Sequence, residues 1–175
     1  MLKQELKVHI RWMIRRDMPE VLQMETAAAL PTQWNEERFL HALRQRNTIG
    51  MVAEAIGGMH GPEGKVLGFM IYELHKHKLE LLRVTVDSEF RRKGVGRQMM
   101  DKLISKLSSH RRTRVCIDVN ERLLDAQHFF KAVGMQAVST LRRADENDDD
   151  MYRFVFRMAN STAEEVEDLD EVHLD

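Results

Sequence analysis

The chain has 175 residues, of which 43% are hydrophobic and 31% charged, with a formal net charge of −1. These values fit one domain with a sizeable core, and they exclude a disordered or fibrous chain. A single cysteine, Cys116, excludes an internal disulfide and any cysteine-based zinc cluster.

In chain order, the pattern predicts a strand from about Lys7 to Ile14 and a helix starting near Asp17. Asp17 is a candidate cap there, and Pro19 suits a first turn. Asn35-Glu36-Glu37 reads as a second helix start, leading through Phe39, Leu40 and Leu43. A strand from Thr48 to Ala55 follows, then a glycine-rich loop over Gly57–Gly64. Val66–Leu74 and Leu79–Val86 are the next strands, joined by His75-Lys76-His77-Lys78. His75 and His77 lack a third ligand for a metal site, so they read as an exposed hairpin and no metal is expected. Arg97–Ser109 carries Met99, Met100, Leu103, Ile104 and Leu107 at helical spacing. Val115–Val119 is a short strand containing Cys116, which reads as core. Leu124–Val133 is a helix ended by Gly134. Strands near Gln136–Leu141 and Tyr152–Met158 flank an acidic loop, Asp145–Asp150.

Residues 160–175 hold seven acidic side chains and no lysine or arginine. Without them the chain has 27 basic against 21 acidic residues. The expected organisation is therefore a basic domain, 1–159, and a flexible acidic tail, 160–175. A sharper expectation is that the tail competes with a bound anion for the basic surface. No apolar run reaches the length of a membrane span, and the first residues lack a signal-peptide core. A cytoplasmic protein with neither membrane nor nucleic-acid partner is expected.

Arg91-Arg92-Lys93-Gly94-Val95-Gly96 lies between a predicted strand and a predicted helix. A helix start offers unpaired N–H groups and a positive dipole end, and glycines let the backbone approach an anion closely. Phosphate or pyrophosphate is the expected ligand. The order lacks the lysine-serine/threonine ending of a nucleoside-triphosphate loop and the third glycine of a dinucleotide fingerprint. The same six residues also read as an ordinary basic loop.

This Arg-x-x-Gly-x-Gly order resembles the acetyl-coenzyme A signature of the GNAT superfamily of N-acetyltransferases. The resemblance extends over nearly the whole chain to Met158. Ile10-Arg11, Asp17–Leu22 and Pro31-x-x-Trp34-x-Glu36-Glu37-x-Phe39 are similar to the N-terminal region of RimI-type ribosomal-protein alanine acetyltransferases. Glu80–Asp87 with Glu89-Phe90-Arg91 is similar to that group's central strand and cofactor turn. The resemblance implies an α/β (α+β) single-domain fold, with a mixed, mostly antiparallel twisted sheet flanked by helices. It implies acetyl-CoA as co-substrate and direct transfer to an amine in a ternary complex.

By the same resemblance, the pyrophosphate is expected on the backbone from Arg91 through Arg92, Lys93, Gly94, Val95 and Gly96 to Arg97. Pantetheine is expected beside Leu82–Val86, with Val84, Thr85 and Val86 closest to it. A backbone N–H near Val84 would polarise the thioester carbonyl. Glu80, eleven residues before Arg91, matches the base of the histone-acetylating members, and Asp118 stands where RimI-type enzymes have glutamate. Either also reads as a rim carboxylate. Two departures stand out: Phe130 replaces the tyrosine that protonates the leaving thiolate, and Leu123 replaces an asparagine that contacts coenzyme A. The expected acceptor is a protein or peptide N-terminus. A small amine, a lysine, or a non-catalytic acyl-CoA-binding role are the alternatives, and either a monomer or a homodimer fits.

Overall fold

Runs of β-branched and aromatic residues build a sheet here, and amphipathic helices cover its two faces. The structure is a computed structural model, and it describes residues 6–57, 64–142 and 149–159. The strands are β1 (Val8–Trp12), β2 (Thr48–Ala55), β3 (Val66–Leu74), β4 (Lys78–Val86), β5 (Arg114–Asn120), β6 (Gln136–Leu141) and β7 (Met151–Arg157). They form one sheet in the order β1-β2-β3-β4-β5-β7-β6. All neighbours are antiparallel except β4 and β5. Parallel neighbours need a crossover, which α3 (Val95–Ile104) supplies. With α1 (Met18–Ala27), α2 (Glu36–Leu43) and α4 (Leu124–Ala132), the element order is the predicted one. The expected fold class holds as well.

Strand alternation divides the apolar residues between two cores. On one face Leu79, Leu81, Val115, Ile117, Val119 and Phe154 pack with Met99, Met100 and Leu103 of α3 and Phe130 of α4. On the other, Val52, Phe69 and Ile71 pack with Met18 and Val21 of α1 and Phe39 of α2. Trp34, just before α2, meets the Phe39 ring edge-on at 5.2 Å, and Phe39 meets Phe69 in the same way at 5.6 Å.

Local differences from the sequence pattern have physical causes. Asn35 caps α2 by accepting from the Arg38 N–H at 2.9 Å, as its type predicts. Asp17 precedes α1 without capping it. Its carboxylate instead takes the Ile14 N–H at 2.8 Å and two Arg11 nitrogens at 2.8 and 2.9 Å, a charged partner that outcompetes the helix end. The α3 helix begins two residues earlier than the apolar spacing indicates and ends at Ile104. Ser105 turns back to the Lys102 carbonyl at 2.7 Å, which favours leaving the helix, although Leu107 stays buried beyond it. The acidic tail 160–175, most of the Gly57–Gly64 loop and most of the acidic loop lie outside the described residues. Among the described residues no helix is long and apolar enough to cross a membrane.

Candidate active site

The site grows from an irregularity in β4. Opposite β3, Ile71 pairs with Arg83 and Tyr72 with Leu81, so Leu82 is an extra residue, a β-bulge. A bulge bends its strand and increases local twist. On its other side β4 pairs with β5 only through Lys78, Leu79 and Glu80, opposite Arg114, Val115 and Cys116. Beyond those pairs the two strands part. Residues 81–86 of β4 thus present an unpaired edge, whose alternate N–H and C=O groups are open to a ligand lying alongside. This edge contains the predicted Val84, Thr85 and Val86. Val84 and Val86 are half-buried on the α3–α4 face, whereas Thr85 is buried.

At the far end of that edge lies the predicted anion turn. Arg91, Arg92, Lys93 and Arg97 are exposed, and Gly94 caps α3 with a φ of +84°. That left-handed conformation suits glycine, and Arg92 adopts it too, at +62°. Residues 91–94 form a turn that leads directly into α3, and a helix start carries N–H groups left over from the intrahelical pattern. Gly96 allows a close approach: a Cβ there would sit 3.0 Å from the Phe129 ring of α4, which would have to shift. The turn is braced from outside by Gln98, whose amide donates to the Leu6 and Gly94 carbonyls at 2.6 and 3.2 Å. A helix start and four exposed cations thus share one short turn, with Arg91 and Arg97 also donating to the Val86 and Ala132 carbonyls at 3.2 Å.

Where β4 and β5 begin to part, on the face away from α3 and α4, the two predicted carboxylates come together. Alternation sends Glu80, Asp118 and Arg153 to that face, because their neighbours Leu79, Ile117 and Phe154 point to the other. Arg153 of β7 binds Asp118 through Nε at 2.8 Å and Nη2 at 2.8 Å. The same Nη2 reaches Glu80 Oε1 at 3.1 Å. Lys78 Nζ lies 2.7 Å from Glu80 Oε2, off the hydrogen-bond direction. The Asp118 hydrogen bond, with the Glu80 and Asp118 charges, holds the Arg153 guanidinium well above the ordinary arginine range, against the opposing effect of burial. Cys116 is buried beside this cluster, and burial, followed by the Glu80 charge, pushes its thiol up. It serves as core, as expected.

One side of the open face is closed by a second ion pair. Arg83, next to the bulge, reaches the buried Glu25 of α1 and the Thr32 carbonyl. Glu25 also accepts from the Trp34 N–H at 2.9 Å, and the guanidinium carbons of Arg83 and Arg38 lie 5.4 and 4.8 Å from the Trp34 ring centre. This strap ties the α1–α2 connection to β4. A separate cavity of about 300 Å³, lined in part by Glu20, Lys65, Asp87 and Arg91, opens between α1 and the end of β4. It does not include the carboxylate cluster.

The two departures noted in the sequence also have definite places. Phe130 is 2% exposed and packs against Phe129 and Phe154, at 5.2 and 6.1 Å between ring centres. Leu123 precedes α4 and packs on the same core without capping the helix. The Tyr72 hydroxyl is buried against Met51 Sδ at 3.7 Å, with its ionisation pushed up to about 12 by burial. His75 pairs with Glu73 at 3.0 Å in the hairpin. Sequence reasoning missed Arg153, Lys78 and the Glu25–Arg83 pair. A signal existed for Arg153, a lone cation between Tyr152 and Phe154 in an otherwise apolar strand core.

Comparison with known proteins follows from this geometry. The profile of the Acetyltransferase (GNAT) family matches residues 8–135. No curated protein matches the chain in sequence. Among solved structures, the ribosomal-protein-S18-alanine N-acetyltransferase from Escherichia coli superposes with a TM-score of 0.71 at 18% identity, covering 91% of this chain and 98% of that one. Arabidopsis thaliana NAA60 in complex with acetyl-CoA gives 0.71 at 15%, covering 87% and 99%. A spermidine N-acetyltransferase SpeG chimera from Vibrio cholerae and hSSAT gives 0.64 at 14%, covering 86% and 95%. At these identities the likeness is one of fold.

Proposed function

The chain belongs to the GNAT acetyltransferase family and is an acetyl-CoA-dependent N-acetyltransferase; from that premise we propose that its acceptor is the N-terminal amine of a protein or peptide. The observation that carries this reading is the pair of carboxylates, Glu80 and Asp118, sharing one guanidinium nitrogen where β4 and β5 part. Each is already engaged by a cation, so the site gives modest help in removing a proton. An α-amine, with a pKa of about 7.7–8.0, is roughly 10% neutral at pH 7, whereas lysine near 10.4 is far less so. The α-amine needs the smaller help. The fold likeness to the S18-alanine enzyme accords with this reading, and the reading places the protein in the cytoplasm.

Acetyl-CoA supplies the acetyl group as an activated thioester. The start of α3 and the exposed cations Arg91, Arg92, Lys93 and Arg97 fit its pyrophosphate. The unpaired edge at Val84–Val86 fits its pantetheine arm as an added strand, with an N–H there aimed at the thioester carbonyl oxygen. The amine nitrogen forms the new C–N bond as the C–S bond breaks. Glu80, directly or through water, takes the nitrogen's proton, and Asp118 holds Arg153 in place beside it. Phe130 supplies no proton, so the thiolate departs without an aromatic hydroxyl at that position.

Thiol release by the full chain tests the reading. A peptide with a free N-terminus should turn over at least about tenfold faster than its Nα-blocked counterpart carrying a free lysine. Because Glu80 already pairs with two cations, Glu80→Gln should lower kcat by about 10²-fold, the low end for a general base. Faster turnover of the blocked lysine peptide or of a polyamine would sink it.

A further inference from the structure

Charge on the acceptor face is the least expected feature of this site. An enzyme that gathers polycationic amines needs surplus negative charge where the amine arrives. Here the two acceptor-side carboxylates, Glu80 and Asp118, are matched by Lys78 and Arg153 within ion-pair distance. The adjoining Glu25 is matched by Arg83, and Arg38 lies on the exposed side of Trp34. Strand register adds Glu73, opposite Glu80 and paired with His75, and the exposed Arg157 to the same face, while Arg114 on it is buried and β6, which flanks β7, carries no charge. Glu80, Asp118 and Glu25 therefore each meet a cation, and the exposed Arg38 and Arg157 add positive charge beyond them.

Arg153 occupies the controlling position. It makes all three hydrogen bonds that reach the two carboxylates from β7, and its side chain remains 19% exposed. Its Nη1 donates to no described residue and remains available to an incoming carbonyl or carboxylate. Without it, Glu80 and Asp118 would face each other with Lys78 as their only immediate counter-charge.

Resting on the N-terminal acceptor reading, we propose that Arg153 is a specificity-determining residue that makes the cleft select N-termini followed by neutral or acidic residues and reject lysine-rich segments and polyamines. It does so by two effects with one origin. It cancels the carboxylate charge that would attract a polycation, and it offers a cationic donor to an acidic or carbonyl group downstream of the reacting amine. Like-charge juxtaposition against the marginal arginines strengthens the rejection.

The test compares three peptides that share their first residue and carry glutamate, glutamine or lysine at the next three positions, with spermidine as a fourth acceptor. Wild type should favour the glutamate over the lysine peptide by at least about tenfold in kcat/KM, mainly through KM, and 0.5 M salt should compress the ratio. Arg153→Gln should collapse or invert that ratio while leaving acetyl-CoA affinity unchanged, and Arg153→Lys should retain the order. A structural role alone would lower all four acceptors together and leave the ratio fixed. A wild-type preference for lysine peptides or spermidine, or an unchanged ratio in Arg153→Gln, would overturn the proposal. Should Arg153→Gln fail to fold, the salt dependence and Arg153→Lys decide it. Should no peptide turn over, the N-terminal reading has failed, and calorimetric binding of the glutamate and lysine peptides to coenzyme A-loaded protein still reads the charge preference: equal binding refutes it.

Discussion

Glu25 shows how much one buried residue carries outside the chemistry. Its side chain is 1% exposed, paired with Arg83, and accepts the Trp34 N–H. Removing one partner of a buried pair strands the other charge, which costs about 3–5 kcal/mol, whereas an apolar pair of similar volume is close to neutral. Glu25→Ala should therefore lower the melting temperature by roughly 10 °C for a chain of this size. Glu25→Leu combined with Arg83→Met should recover most of that loss in the same thermal melt, and equal losses in both variants would show that the ion pair is not the cause. Neither residue was singled out from the sequence. Glu25 sits in a helix whose other residues give no sign that a carboxylate is turned inward, and Arg83 in a strand looks like a solvent-facing position. Glu80 and Asp118 were singled out only through the family resemblance, which places them relative to Arg91 and Phe130. The guanidinium that joins them was not, because Arg153 lies 35 residues beyond Asp118 and meets it only through strand register.

At the scale of elements, local rules succeeded where the local partner was the winning one. Asn35 is such a case: its carbonyl oxygen accepts the Arg38 N–H, and Glu36 and Glu37 follow at the positive end of the α2 dipole. Asn35→Ala should cost about 1 kcal/mol, and Asn35→Gly only a few tenths, since glycine also tolerates the cap conformation. Urea unfolding of the two variants would separate a cap from a mere loop contact, for which both changes would cost the same. Asp17 failed as a cap because Arg11, on a neighbouring strand, is a stronger partner than a helix N–H. The parting of β4 and β5 was also beyond the sequence. Leu82 continues an apolar run and carries no glycine or proline to mark a bulge, so only its register against Tyr72 and Ile71 reveals it. The turn before α3, by contrast, was readable as local structure, because a strand, two glycines and a helix start form a local motif.

For the whole molecule, the first strand is held to the rest by a charge network with a definite pH signature. Arg11 on β1 binds Asp17 and reaches Glu54 of β2 at 2.7 Å, while His9 meets Glu54 at 2.9 Å. Burial works to raise the Asp17 carboxyl, but the Arg11 hydrogen bond and the Ile14 N–H outweigh it and hold it below the usual carboxylate range. The His9 and then the Arg11 hydrogen bonds hold Glu54 low in the same direction. A carboxylate whose folded value is depressed contributes its stability fully above the unfolded value, here about 4, and loses it as pH falls through the folded one. The network should thus leave stability level between about pH 5 and 7 and steepen the loss below about pH 4. Arg11→Met removes the cation common to both carboxylates, so it should lower the urea midpoint at pH 7 and flatten the decline towards pH 3. Because β1 is the edge strand and Asp17 stands at the start of α1, the loss should appear as global unfolding seen equally by tryptophan fluorescence and circular dichroism. Parallel curves for wild type and Arg11→Met from pH 7 to 3 would mean that the acid sensitivity does not reside in this network.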